Sequence, residues 1–167
     1  MKKVSILFCS LLIVVSLSNF TYSKNNSKKG FDKIKSLVGT WHSKMTDGSI
    51  TKITYKIVSN GSTIMETISG KEDDAMVTMY HLNGNNLMMT HYCSAGNQPR
   101  MNADVNDNEI KTLNFNYINA TNLKSEQDGH MSNLDITFKD KDHFTQAWTW
   151  TKDGKNTTTT FEFERVK

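Results

Sequence analysis

Cysteine is nearly missing from this 167-residue chain, which holds only Cys9 and Cys93; proline occurs once, at Pro99, and arginine twice, at Arg100 and Arg165. Two cysteines cannot build a disulfide framework. Close metal-ligand spacings such as Cys-x-x-Cys or His-Glu-x-x-His are missing as well. Charge of one sign is also lacking: 20 basic against 17 acidic side chains leave a formal charge of +3, which gives no electrostatic reason to expect nucleic acid or anionic lipid as a partner. The one long apolar run, Val4 to Leu17, is shorter than the roughly 20 residues that span a bilayer.

That run reads instead as the core of a secretory signal. Lys2 and Lys3 precede it and Thr21, Tyr22 and Ser23 follow as a small-x-small cleavage site, so residues 1–23 are expected to be removed on export. Cys9 goes with them, and no small residues precede it as a lipid-modified cysteine would need. The expected product is periplasmic or secreted, without stable membrane insertion. A flexible Lys/Asn-rich lead over 24–30 and one domain over 31–167 make up the rest. Cys93 then has no intramolecular partner.

Phe31, Ile34, Leu37 and Val38 recur at helical spacing, which predicts a short amphipathic helix over 31–38. After Gly39 the period changes to two. Ile53, Tyr55 and Ile57 share a parity, as do Leu113, Phe115 and Tyr117, then Leu134, Ile136 and Phe138, then Phe144, Trp148 and Trp150, then Phe161 and Phe163. Each such strand has one wet and one buried face. Hairpin signals punctuate them at Asp47-Gly48, Asn60-Gly61, Asn83-Gly84, Asn106 to Asn108, Asp128-Gly129 and Asp153-Gly154. About ten short strands without a second helix predict an all-β fold. It is a single antiparallel up-and-down barrel, which removes exposed edges, with the helix capping one end.

The segment Leu37 to Trp41 after a short helix, the strand meander and Arg165 on the last strand together resemble the calycin superfamily of lipocalins, fatty-acid-binding proteins and nitrobindins. The resemblance implies that Trp41 packs across the closed end of the barrel with Arg165 over it, a cation on an indole face. The run Met79 to Met101, with Gly129, His130 and Met131, Asp142, His143 and Trp148, Gly154 and Lys155, and Phe161 to Val166, is similar to uncharacterised secreted bacterial proteins with a lipocalin-like domain. That second resemblance implies fold and export and no activity.

Counting hairpins places loops 46–49, 70–75, 94–99, 119–129 and 152–155 at the end opposite Trp41, the mouth. A turn centred on Gly84 and Asn85 pairs Leu82 with Leu87, Tyr80 with Met89 and Thr78 with His91, so His81 and His91 face opposite ways and cannot share a metal. The face with Met76, Thr78, Tyr80, Leu82, Leu87, Met89, His91 and Cys93 is assigned inward. Symmetric pairing across loop 94–99 would also turn Arg100, Asn102 and Asp104 inward, unless a bulge at Pro99 shifts the register.

The expected function is to hold a small hydrophobic or amphipathic ligand in the lumen, without an obvious catalytic set. The candidate binding residues are Tyr80, His91, Cys93, Asn97, Arg100 and His130, with Arg100 placed to meet a carboxylate or phosphate. Two alternatives stand beside it. His91, Cys93 or His130 could hold haem or a metal, as nitrobindins hold haem through a histidine. Cys93 could act as a nucleophile with His91 as base, although no oxyanion hole or orienting Asp is recognisable. The Thr157 to Thr160 face is read as solvated strand surface. No cofactor is named by the sequence.

Overall fold

A computed structural model describes residues 26–69, 75–105 and 109–167. The expected signal segment 1–23 and the Asn106 to Asn108 turn lie outside the described residues. Residues 26–35 form helix α1. Ten strands follow: β1 (Gly39–Lys44), β2 (Ile50–Val58), β3 (Thr63–Ser69), β4 (Met76–Asn83), β5 (Asn86–Tyr92), β6 (Gln98–Ala103), β7 (Thr112–Thr121), β8 (His130–Phe138), β9 (His143–Lys152) and β10 (Lys155–Arg165). Each pairs antiparallel with its neighbours in sequence, and β1 pairs with β10 to close the barrel. The fold expected from the alternation is therefore the fold observed. Gly48, Gly61, Gly84 and Gly154 take positive φ at the tips of the predicted hairpins.

The helix differs from its prediction at both ends. It covers residues 26–30, expected as a flexible lead, and stops at residue 35. Its last turn tightens through Leu37 N–H donating to Ile34 C=O at 3.0 Å, and Gly39 at φ +127° redirects the chain into β1. Helical periodicity caught Phe31, Ile34 and Leu37, all buried in the core. It overran because Leu37 keeps the spacing after the helix has ended, and Val38 is exposed.

Helix α1 closes the end where β1 starts. The Ser27 hydroxyl donates to the Asn85 carbonyl in the β4–β5 turn, and Lys33 Nζ lies 5.0 Å from the Phe138 ring centroid. At the same end Trp41 is fully buried, its indole N–H donating to Leu37 C=O at 2.7 Å. The Arg165 guanidinium lies 4.0 Å from the Trp41 ring and donates to the carbonyls of Val38 and Ser36 at 2.9 and 3.1 Å. It thereby satisfies two carbonyls in the turn that links the helix to β1. Gly39 is needed here: a Cβ would sit 3.0 Å from Arg165 Nη1. Trp41 packs edge-on against Phe144 at 4.7 Å, and Phe144 stacks on Phe163 at 5.0 Å. These rings pack the interior of the barrel at this end.

The β5–β6 connection resolves the register question differently from either expected answer. Cys93 N–H donates to Asn97 C=O, so the loop tip is only Ser94, Ala95 and Gly96. The tighter loop gives Leu87↔Ala103, Met89↔Met101 and Thr90↔Arg100, which turns Asn97, Pro99, Met101 and Ala103 inward. The register shift lies one strand further on, where Arg100 pairs with Asn119 but Met101 pairs with Tyr117. Ile118 is the extra residue, on β7 rather than at Pro99.

Candidate functional site

In the upper half of the barrel, one ladder rung carries Tyr55 on β2, Glu66 on β3, Thr78 on β4 and His91 on β5, each the cross-strand partner of the next. All four are buried. Because side chains alternate along a strand, one rung of neighbouring strands points to one face, here the interior. Gln146 and Trp148 of β9 meet this row from across the lumen. Tyr80 Oη and Gln146 Nε2 both donate to Glu66 Oε2 at 2.8 Å. Gln146 Nε2 also lies 2.8 Å from Tyr55 Oη, and Trp148 Nε1 donates to Gln146 Oε1 at 2.9 Å. His91 Nδ1 is 2.9 Å from Thr78 Oγ1, and its ring lies against Trp148 with centroids 4.7 Å apart.

This network forms the floor of a cavity of about 420 Å³ that rises toward the mouth. Met76, His91, Met131, Trp148, Trp150 and Phe161 make most of its wall, with Thr157 and Thr159 among the remaining lining residues. Among the described residues, none of its lining side chains is a lysine, arginine or carboxylate. His91 is 1 % exposed, and its Nε2 has no hydrogen-bond partner among the described residues. A larger depression, about 670 Å³, follows the β1–β10 seam and is lined by charges of both signs. Those charges largely pair, Lys139 with Glu162 and Asp140 with His143, as on an ordinary solvated surface.

The buried groups titrate abnormally for reasons visible in the packing. Burial pushes the Glu66 carboxyl above its ordinary 4.5, against the opposing pull of the polar side chains around it, Tyr55, Tyr80, Gln146 and Thr78. Burial, with the Glu66 charge second, raises the Tyr55 and Tyr80 phenols. Burial lowers His91 to about 4, so its imidazole is neutral near pH 7.

The six expected binding residues separate. His91 lines the cavity. Tyr80 lies beneath it in the Glu66 network. Asn97 is buried and donates to Gly129 C=O at 2.9 Å, tying two mouth loops together. Cys93 is half-buried beside that loop, outside the cavity lining. His130 is buried against Tyr117, 4.7 Å between rings, with Nδ1 2.8 Å from Asp128 C=O. Arg100 is not an interior residue: it is exposed on the outer face, its Nε donating to Asn119 Oδ1 at 2.7 Å. The tight 93–97 loop put it there. Among the described residues, no cationic side chain lines this cavity.

His91, Cys93 and His130 do not converge as ligands, and among the described residues no three His, Cys, Asp or Glu side chains are grouped to hold a metal. Among the described residues His91 makes no hydrogen bond to Cys93: Nδ1 is engaged by Thr78 and Nε2 has no partner. The Thr157 to Thr160 stretch divides by parity: Thr157 and Thr159 face the cavity, while Thr158 pairs outside with the Thr149 hydroxyl at 2.9 Å.

Glu66 and Gln146 were legible in principle. Glu66 stands between Ile64 and Ile68, and Gln146 between Phe144 and Trp148, on the inward parity of their strands. A polar side chain on an apolar stripe is the informative exception.

Gly129 shapes the wall from behind. Its expected role as a hairpin residue does not need positive φ; instead a Cβ there would lie 2.1 Å from Trp150 Cζ2. Gly129→Ala is expected to displace Trp150, shift its fluorescence and cost about 1–3 kcal/mol by overpacking. Unchanged emission and an unchanged urea midpoint would show that the indole has room to give.

Compared with known proteins, the chain matches no protein-family model and no curated sequence.

Proposed function

We propose that this barrel binds a small, largely apolar molecule in the cavity above the Glu66 network. The observation that carries the reading is the combination of an apolar wall with one buried nitrogen, His91 Nε2, that has no hydrogen-bond partner among the described residues. Ligand pockets commonly combine apolar lining with a few placed polar groups, and about 420 Å³ lies within their usual size range. The Trp41–Arg165 arrangement at the closed end supports placing the barrel among the calycins. An exported protein with a cleaved 1–23 segment is the setting we propose, on the sequence pattern of those residues.

A titration with 1-aminoanthracene, read by quenching of Trp148 and Trp150, tests the cavity. Saturable one-site quenching is expected, and Thr159→Trp, which puts an indole into the lumen, is expected to weaken it at least tenfold. Equal binding to that variant would place the probe elsewhere and remove the proposal.

A further inference from the structure

Resting on the cavity reading above, we propose that the ligand is a flat aromatic molecule, recognised by ring and thioether surface in preference to a saturated ring system or an alkyl chain of the same carbon count. Trp148, Trp150, Phe161 and the His91 imidazole bring their rings to one cavity, with the Met76 and Met131 side chains beside them. Aromatic pairs contribute beyond the area they bury, and a thioether sulfur makes further favourable contacts with aromatic rings. A saturated ligand gains only the area contribution.

Both indoles are held by their surroundings. Trp148 Nε1 donates to Gln146 Oε1 at 2.9 Å, and Gln146 Nε2 in turn lies 2.8 Å from both Glu66 Oε2 and Tyr55 Oη. An indole has only that one donor. With it spent on the floor network, Trp148 meets a ligand through ring carbon, and its ring is further fixed against His91, 4.7 Å between centroids. Trp150 stands where residue 129 has no side chain: a Cβ there would lie 2.1 Å from its Cζ2. That glycine is itself tethered, its carbonyl accepting from Asn97 Nδ2 at 2.9 Å. Position 150 thus holds an indole in space that even a methyl group at 129 would take. Rings already fixed in place lose little side-chain freedom when a ligand packs on them, so the aromatic contacts reach the binding free energy with little offset.

Displacement of 1-aminoanthracene from the whole protein by 2-naphthylmethanol, decahydro-2-naphthylmethanol and 1-undecanol tests this, because the three share one carbon count and one primary alcohol and differ only in the carbon frame. Area burial alone ranks the two saturated alcohols level with the naphthyl compound or above it. Recognition by the rings is expected to reverse that order, with 2-naphthylmethanol bound roughly fivefold more tightly than either, the worth of one aromatic pair. In Trp150→Leu, with folding verified by far-UV circular dichroism, the naphthyl-to-decahydronaphthyl ratio should fall close to one. Phe161→Leu should reduce the same ratio and supplies the answer where Trp150→Leu does not fold. A saturated alcohol that matches or exceeds the naphthyl compound, or a ratio unchanged in both variants, would overturn the inference, while displacement by any of the three leaves the cavity reading standing. If 1-aminoanthracene is not bound, or none of the three displaces it, both fall together.

Discussion

Replacing Glu66 with leucine is expected to destabilise the barrel by about 2–5 kcal/mol near pH 4.5. The carboxyl is fully buried and accepts from both Tyr80 and Gln146, and each donor left without an acceptor in the core costs roughly 1–3 kcal/mol. A folded domain has only about 5–15 kcal/mol in hand, so this single change consumes a large part of it. The cost is expected to shrink as pH rises, for a reason that can be checked by sign. The folded pKa of Glu66 lies above its ordinary 4.5, so the unfolded chain releases the proton first. Stability from this group is complete below 4.5 and is lost as pH climbs through the folded value. Leucine has no such slope, and neither has glutamine. Glu66→Gln should therefore gain on the native protein as pH rises from 4.5 toward 8 while keeping an acceptor for Tyr80. Urea unfolding of the three proteins at several pH values measures this; parallel profiles would mean that Glu66 titrates alike folded and unfolded.

Acid should weaken the native protein through His91 with the opposite slope. Burial lowers its pKa from 6.5 to about 4, so the unfolded chain takes up the proton first as pH falls. The stability concerned is present above 6.5 and disappears as pH drops to about 4, amounting to about 3 kcal/mol at 1.36 kcal/mol per pKa unit. His91→Phe is expected to flatten this part of the profile. The same acid slope in the variant would assign the loss to other groups. Where the two windows overlap, the native protein's slopes partly cancel, so differences between variant and native at each pH are the quantities to compare.

The period-two alternation made the barrel legible because each strand has a wet and a dry side, and its hairpin signals at Gly48, Gly61, Gly84 and Gly154 fell at real turns. The pairing of Tyr80 with Met89 and Thr78 with His91 followed from the Gly84-Asn85 turn and stands as expected. What alternation could not supply was loop length. Shortening the 93–97 connection moved Arg100 to the outside, and the charge that had anchored the expected head group went with it. The site's centre was hidden for a related reason: unusual residues crowd into 79–101, whereas Glu66 and Gln146 look ordinary until the rung sets them across from His91. Proximity of rare residues in sequence says little about a lumen built from ten strands, where neighbours across the barrel come from opposite ends of the chain.

The bond between the Arg165 guanidinium and the Val38 carbonyl joins residues 127 positions apart, and the seam of β1 with β10 is short, with Trp41↔Arg165 and His42↔Glu164 in register and Val166 N–H donating to Thr40 C=O at 2.9 Å. This closure cannot form until the last strand has left the ribosome. Contacts so distant in sequence are reached late and slowly, and until then β1 and the growing end of the sheet are both open edges, able to pair with other chains. The final few residues thus act as a latch. A chain ending before Glu164 would keep nearly all of its hydrophobic interior and still remain an open, self-associating sheet.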